Sequence, residues 1–480
     1  MPIFSLLLLF VLCCIFNSSK SKIDKYYDLF TLACVFRIYW FQGYFLKIGD
    51  KEIANLGAVV EVVLTIYALY LLFIKNITIK ESYLKIFIFF AAVNILGIFL
   101  EIAFPYDGLL LPEQTKGLDW DALVSGKCNM YHYYPTISDY IKPYASLIQF
   151  GLNVIIFKNV YNEEKFIYSF MRVIKLIKFG VYYGLFEFFC KNVIGNLTLT
   201  YDISSILVGV NEVSVYTKAF MKNGLYTLQG LTREPSHFNC FLFSFLLLTM
   251  LGDAVLKNNS KYVKMKTYGS VSTFIAVFLL LFSGGFSAVW YLWVLFMSYI
   301  VLKFNNKKIK INYLGMKFIL SFLLLLSLLG VLIYVILQND YFYNRIQDAF
   351  VIFDYIIDAD SAAGIAIMMG NSEGAGSTVA RFFSSYVGVL VFLDRPLFGL
   401  GYSLQFMHNF SIYFLANMGI IGVLSMYRLM ASSDCCSRKF DMLLLFTVFI
   451  IGGIPITIAP LGLSMHWLLF FEATPLYKKR

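Results

Sequence analysis

Long apolar runs separated by short lysine-bearing stretches set the pattern of this chain. The first run covers residues 2–17 and is followed by Lys20, Lys22 and Lys25. A cleaved leader carries its positive charge ahead of the apolar core, so this order predicts a first span with its N-terminus outside. Runs near 27–46, 53–74, 84–104, 142–158 and 174–192 read as further spans. So do runs near 237–256, 268–283, 286–302, 315–337 and 408–428. Residues 441–474 are long enough for two spans, broken between Gly452 and Pro460. Asp28, Arg37, Glu61 and Glu101 fall inside such runs, and each is expected to face the bundle interior or an interface. The expected total is about 12 or 13 helices.

Three stretches break the pattern. Residues 105–141 form an acidic first loop, residues 193–236 a second loop, and residues 338–407 a large third loop. Basic residues gather in other connections: Lys158, Lys165, Arg172, Lys175 and Lys178, then Lys257 to Lys266, Lys303 to Lys317, and Arg428 to Lys439. Positive loops stay inside, so the three long loops are expected on the outer face. Within the third, residues 377–393 carry a helical apolar pattern bounded by Arg381 and Asp394-Arg395-Pro396, which predicts a helix lying in the interface. Gly370 to Gly376 reads as a hinge before it.

Composition fixes the class. The 480 residues are 59% hydrophobic and only 14% charged, as in a single multi-span, all-α membrane domain over 1–480. The net charge of +10 is carried by the loop lysines, so the bilayer and not nucleic acid is the expected partner. The eight cysteines make no CxxC or metal spacing and read as small hydrophobes, with a Cys128–Cys190 bridge as the lesser alternative.

The candidate chemistry starts at Gly230-Leu-Thr-Arg-Glu-Pro-Ser-His237, directly before an apolar run. Pro235 suits the first turn of a helix. Ser236 and His237 would then lie in that turn, beside Arg233 and Glu234, where anions bind well. The plain alternative is a solvated Arg-Glu pair and an ordinary helix start.

Two later stretches extend this site. Ser377-Thr-Val-Ala-Arg381 leads to Arg395-Pro-Leu-Phe-Gly-Leu-Gly401, and His408-Asn409 opens a run that reaches Gly419-Ile-Ile-Gly422. Together with the Arg-Glu-Pro-Ser segment, these resemble the signatures of the O-antigen polymerase and ligase superfamily of bacterial envelope glycosyltransferases. Ser283-Gly-Gly-Phe-Ser-Ala is similar to that family's small-residue turn, less specifically. The resemblance covers roughly 230–425 plus the general layout of many helices and a large late outer loop, similar to GT-C-like lipid-linked glycan transferases.

The resemblance implies transfer of a glycan from an undecaprenyl diphosphate carrier to a sugar hydroxyl, outside the inner membrane. Arginines would grip the diphosphate: Arg233 and Arg381 first, Arg345 and Arg395 after them. His408 would be the base, with Glu234 the alternative. His237, Ser236 and Asn409 would bind substrate. A salt bridge to a loop acid is the plain reading of any one of these arginines. His466 reads as structural, and His132 as a loop-packing residue. Asp119-Trp-Asp121 and Asp358-Ala-Asp360 have the spacing of a metal pair, but two carboxylates are too few, and neither a metal nor a cofactor is expected. The family also implies a flippase and a chain-length regulator as partners. A polymerase of repeat units leads; a ligase shares its motifs. A flippase is the alternative of another class, disfavoured because no internal repeat is seen and the polar residues gather at one face.

Overall fold

A computed structural model describes residues 1–38, 44–48, 51–75, 77–108, 135–209, 221–222, 225–232, 235–258, 270–283, 288, 291–292, 294–295, 376–402, 404, 409–430 and 465–476. Of these residues, 80% are helical. In chain order the helices are α1 (Ile3–Asn17), α2 (Lys22–Ile38), α3 (Leu56–Phe73), α4 (Glu81–Ala103), α5 (Ile137–Asn159), α6 (Glu163–Phe188), α7 (Leu199–Val208), α8 (Pro235–Asn258), α9 (Ser270–Phe282), α10 (Gly376–Asp394), α11 (Phe410–Met430) and α12 (His466–Leu476). Two small antiparallel hairpins join them, β1 (Tyr44–Ile48) with β2 (Lys51–Asn55) and β3 (Met221–Lys222) with β4 (Leu225–Tyr226). Among the described residues, Leu56–Phe73, Glu81–Ala103 and Ser411–Met430 are long and apolar enough to cross a bilayer. Shorter apolar helices accompany them, the makeup of an all-α membrane protein.

Helix starts follow their side-chain caps. Asn55 accepts a bond from the Gly57 N–H at 2.8 Å, and Asn162 one from Lys165 at 3.1 Å. Thr136 and Asp139 form a reciprocal capping box at α5. The core centres on α2, which packs on α3 and α6, with Tyr26, Leu29, Phe30 and Ala33 fully enclosed. α4 packs on α5 and α11, and α8 on α6, α9 and α12.

Several boundaries differ from the sequence expectation. The apolar run at 27–46 is not one span: the described part of helix α2 runs to Ile38, and Tyr44–Ile48 pairs with Lys51–Asn55, with Leu46 opposite Ile53. Two strand-like runs separated by Gly49-Asp50 are a hairpin signal that hydropathy averaging hides. Helix α5 begins at Ile137, inside the expected 105–141 loop. Helix α6 starts at Glu163, so Lys165, Arg172, Lys175 and Lys178 lie on a helix and not in a loop. Its apolar face, including Phe166, Phe170, Ile174 and Ile177, is buried and holds that lysine-bearing segment helical. Past Phe188 the helix widens into a π turn, Phe189–Ile194. The expected 193–236 loop contains α7 and the β3–β4 hairpin. Residues 377–393 are helical, as α10, which packs along α11. Of the expected spans, 315–337 lies outside the described residues, as do most of 286–302 and 441–464.

The bundle has two unlike ends. Lys165 pairs with Asp24 at 2.8 Å, Lys20 with Asp28 at 2.7 Å, and Arg172 also with Asp28. The Asn159 side chain bonds Thr78 and Lys80, and Lys158 donates to the Leu429 carbonyl. The start of α2, the α3–α4 turn, the α5–α6 turn and the end of α11 therefore share one lysine-rich end. The ends of α4 and α6 and the starts of α8 and α11 lie at the other.

Candidate functional site

The segment before Arg233 is held by a buried ion pair on α6 and its π turn. Glu187 and Lys191 are 2.6 Å apart and almost wholly enclosed. The Glu187 carboxylate accepts the N–H of Gln229 at 3.2 Å and that of Gly230 at 2.6 Å. Lys191 donates to the Thr227 carbonyl at 3.3 Å. The Thr232 hydroxyl bonds the Gln229 carbonyl at 2.6 Å and closes the turn. Thr227 to Thr232 are consequently buried, though they are loop. A carboxylate that takes two backbone donors and an ammonium has its desolvation offset, which an isolated buried charge would not.

The next contact sets where helix α8 begins. Phe238 is fully buried, and its ring fills a slot made by two glycines. A Cβ on Gly184 or on Gly230 would overlap the Phe238 ring. Gly230 also has φ +58, a conformation side chains rarely adopt. The Gly230–Phe238 spacing in the sequence is thus a mechanical unit: ring and slot fix the chain on both sides of Arg233, Glu234, Pro235, Ser236 and His237. His237 is buried in the first turn of α8. Ser236 is placed by its backbone only. Arg233 and Glu234 lie outside the described residues.

A second assembly joins the two later stretches. Helix α11 is broken at Gly419, where φ is 61 and ψ −178. The carbonyls and N–H groups freed by the break do not stay unpaired. Leu400 and Gly401 donate to the carbonyls of Ala416 and Asn417 at 3.0 and 2.9 Å, while Ile420 and Ile421 donate to those of Pro396 and Leu397 at 2.8 and 3.0 Å. The Arg395–Gly401 loop thus plugs the helix break. Gly97 of α4 lets the loop in, since a Cβ there would stand 2.8 Å from the Phe398 oxygen. Non-helical backbone within an apolar bundle survives only when satisfied in this manner.

No family model, curated protein or solved structure matches this chain. The site is therefore read from its own groups.

At the mouth of the plugged break, Arg395 donates to the Phe104 carbonyl at 2.7 Å and stands 3.0 Å from Asp394. Glu101, buried on α4, accepts the Tyr106 N–H at 2.9 Å and lies within electrostatic reach of both. Burial, then the Asp394 carboxylate, push the Tyr106 hydroxyl above its ordinary pKa. Asn409 caps α11: its side-chain oxygen accepts from Ser411 at 3.0 Å and Ile412 at 3.1 Å. Its NH2 group is what it has left to offer a ligand. Arg381 is on α10, its side chain outside the described residues; Arg345 and His408 lie wholly outside them, as do His132 and both DxD pairs.

Among the described residues no group of three or more His, Cys, Asp or Glu side chains could hold a metal ion. Cys34 and Cys190 are free and buried, while Cys128 lies outside the described residues. Glu61 pairs with Arg37 at 2.5 Å and accepts the Met465 N–H at 3.2 Å, next to buried His466. Asp28, Glu61 and Glu101, the carboxylates expected to face the bundle interior or an interface, are all buried.

Sequence reasoning missed Glu187 and Lys191. Their signal was present: an acid and a base four apart in an apolar run, Glu-Phe-Phe-Cys-Lys.

Proposed function

We propose that this protein transfers glycan from undecaprenyl diphosphate to an acceptor sugar hydroxyl, joining lipid-linked repeat units at the outer face of the bacterial inner membrane. One observation carries the reading. Two of the stretches that resemble the polymerase and ligase superfamily, Arg395–Gly401 and Asn409–Gly422, interlock through four main-chain bonds at a helix break. The third, at the start of α8, lies at the same end of the bundle, away from the lysines. Segments scattered along the sequence thus lie toward one end of the bundle, which supports the reading of a shared site.

The roles follow from chemistry. Arg233 and Arg381 neutralise the leaving diphosphate, with Arg345 and Arg395 in support. Arg395 already serves Phe104 and Asp394, so its share is the smaller. His408 takes the acceptor proton on its imidazole, with the Glu234 carboxylate as the alternative base. Ser236, His237 and the Asn409 NH2 orient sugar and phosphate. Neither metal nor cofactor enters this scheme. A GT-C-like layout of about 12 or 13 helices, with α10 lying in the interface, belongs to the same proposal.

The break in α11 favours a second reading, since transporters build binding sites at discontinuous helices. Here, however, the broken backbone is satisfied by the 395–401 loop and not turned toward a cavity. Deleting the gene and running a glycan ladder gel separates the readings. A single repeat unit on the acceptor marks a lost polymerase. Polymer left on the carrier marks a ligase, and carrier trapped on the inner leaflet marks a flippase; either outcome overturns the proposal.

A further inference from the structure

A cavity of about 470 Å³ opens at the lysine-rich end, between the end of α1, the start of α2 and one face of α3. That size is within the range of small-ligand sites. Its walls are amphiphilic. Phe16, Ile66 and Tyr70 supply an apolar floor, and Lys22 and Lys25 stand at the rim. The floor continues onto an exposed apolar surface that includes Val62, Ile66 and Phe73.

The rim is held in place. The Tyr67 hydroxyl donates to the Lys22 carbonyl at 3.1 Å, and the Lys25 ammonium donates to the Phe16 carbonyl at 2.7 Å. The Phe16 and Tyr67 rings pack 5.9 Å apart. A third cation joins them: Lys75 lies over the Tyr70 ring and close enough to Lys22 for the two to interact.

Local charge is unbalanced. The nearby acids, Asp24 and Asp28, are already engaged by Lys165, Lys20 and Arg172. Lys22 and Lys75 therefore face each other with the neighbouring carboxylates spent on other cations. Like charges drawn together beside an apolar floor are complementary to one kind of occupant, an anionic headgroup with a hydrocarbon tail.

We infer that the Phe16–Lys22–Lys25–Tyr70 cavity is a binding site for an anionic phospholipid of the surrounding leaflet, its phosphate on Lys22, Lys25 and Lys75 and its chain along Ile66 and Tyr70. Phosphatidylcholine, with a balancing cation in its headgroup, fits the lysines less well. The site is at the end opposite the proposed glycan chemistry and stands whether or not that reading holds.

Native mass spectrometry of the full-length protein in detergent tests this, with phosphatidylglycerol, phosphatidylcholine or inorganic phosphate added. The protein is expected to retain phosphatidylglycerol in preference to phosphatidylcholine. Lys22→Gln/Lys75→Gln is expected to weaken that retention by about 25-fold, at roughly a fivefold change per lysine. Lys22→Arg/Lys75→Arg should keep it, and so should Lys85→Gln, whose lysine pairs with Glu81 elsewhere on the surface. Ile66→Trp, which fills the floor and leaves the charges, should also weaken retention. Equal binding of the two lipids, an unchanged Gln double variant, or inorganic phosphate displacing the lipid at matched concentration would overturn the inference.

Discussion

At the scale of single residues, the decisive positions are those where geometry admits one side chain only. Gly419 sits in a backbone region open essentially to glycine, and a Cβ there would overlap the main chain of Leu397. Gly419→Ala is expected to cost about 1–3 kcal/mol in strain alone, read as a lower midpoint of thermal unfolding in detergent; a wild-type midpoint would mean the break is not obligatory. Glu187 poses the reverse problem, a charge that holds three partners. Glu187→Ala leaves Lys191 buried and unpaired, a loss of about 3–5 kcal/mol. Glu187→Gln/Lys191→Met keeps an acceptor for the Gly230 N–H and removes both charges, so most of that loss should be recovered in the same melting assay. For the chemistry, Arg233→Ala and Arg381→Ala should each abolish long glycan chains while the protein remains in the membrane. His408→Ala should slow polymerisation without weakening carrier binding. Long chains from both arginine variants, or a full rate from the histidine variant, would reject those assignments.

At the scale of elements, what matters is how one segment fixes the next. The Phe238 ring between Gly184 and Gly230 ties α8 to α6, and through it the Arg-Glu-Pro-Ser-His stretch to a rigid support. Phe238→Ala should destabilise by about 3–5 kcal/mol. Gly184→Ala, which crowds the ring from the α6 side, should lower the same melting midpoint; an unchanged midpoint in both would remove the slot from the site's support. Much of this level was legible in the sequence. Apolar runs gave α3, α4, α8 and α10 within a few residues, because each carries a long apolar run or an apolar pattern of helical period. The pairing of the Arg395–Gly401 loop with α11 was not legible, since main-chain hydrogen bonds between distant segments leave no periodic trace. Gly399, Gly401 and Gly419 were visible as parts of a resemblance, and Gly97 was not. Helix α2 was half legible: Asp28 and Arg37 depressed its hydropathy, and the partners that make them tolerable, Arg172 and Glu61, are far along the chain.

At the scale of the molecule, polarity divides between two ends. Lysines with their paired aspartates, and the cavity between α1 and α3, occupy one. The plugged break in α11, Glu101 with Arg395, and the Glu187-anchored start of α8 occupy the other. Positive charge favours the inner side of a bilayer, which is the argument for proposing the site on the outer face, where a lipid-linked repeat unit and its acceptor would meet. The fold class was written in composition. The proposed chemistry rests only on short motifs, because a site assembled from loop ends draws few residues from any one segment. The central claim is glycan transfer from a polyprenyl diphosphate, and its most direct test uses purified full-length protein in lipid nanodiscs with undecaprenyl diphosphate oligosaccharide as sole substrate. Chain length is followed by gel and released undecaprenyl diphosphate by mass spectrometry. A ladder that lengthens as carrier is released, and that is absent for Arg233→Ala, is the predicted result; substrate that stays at one repeat with its carrier attached would contradict it.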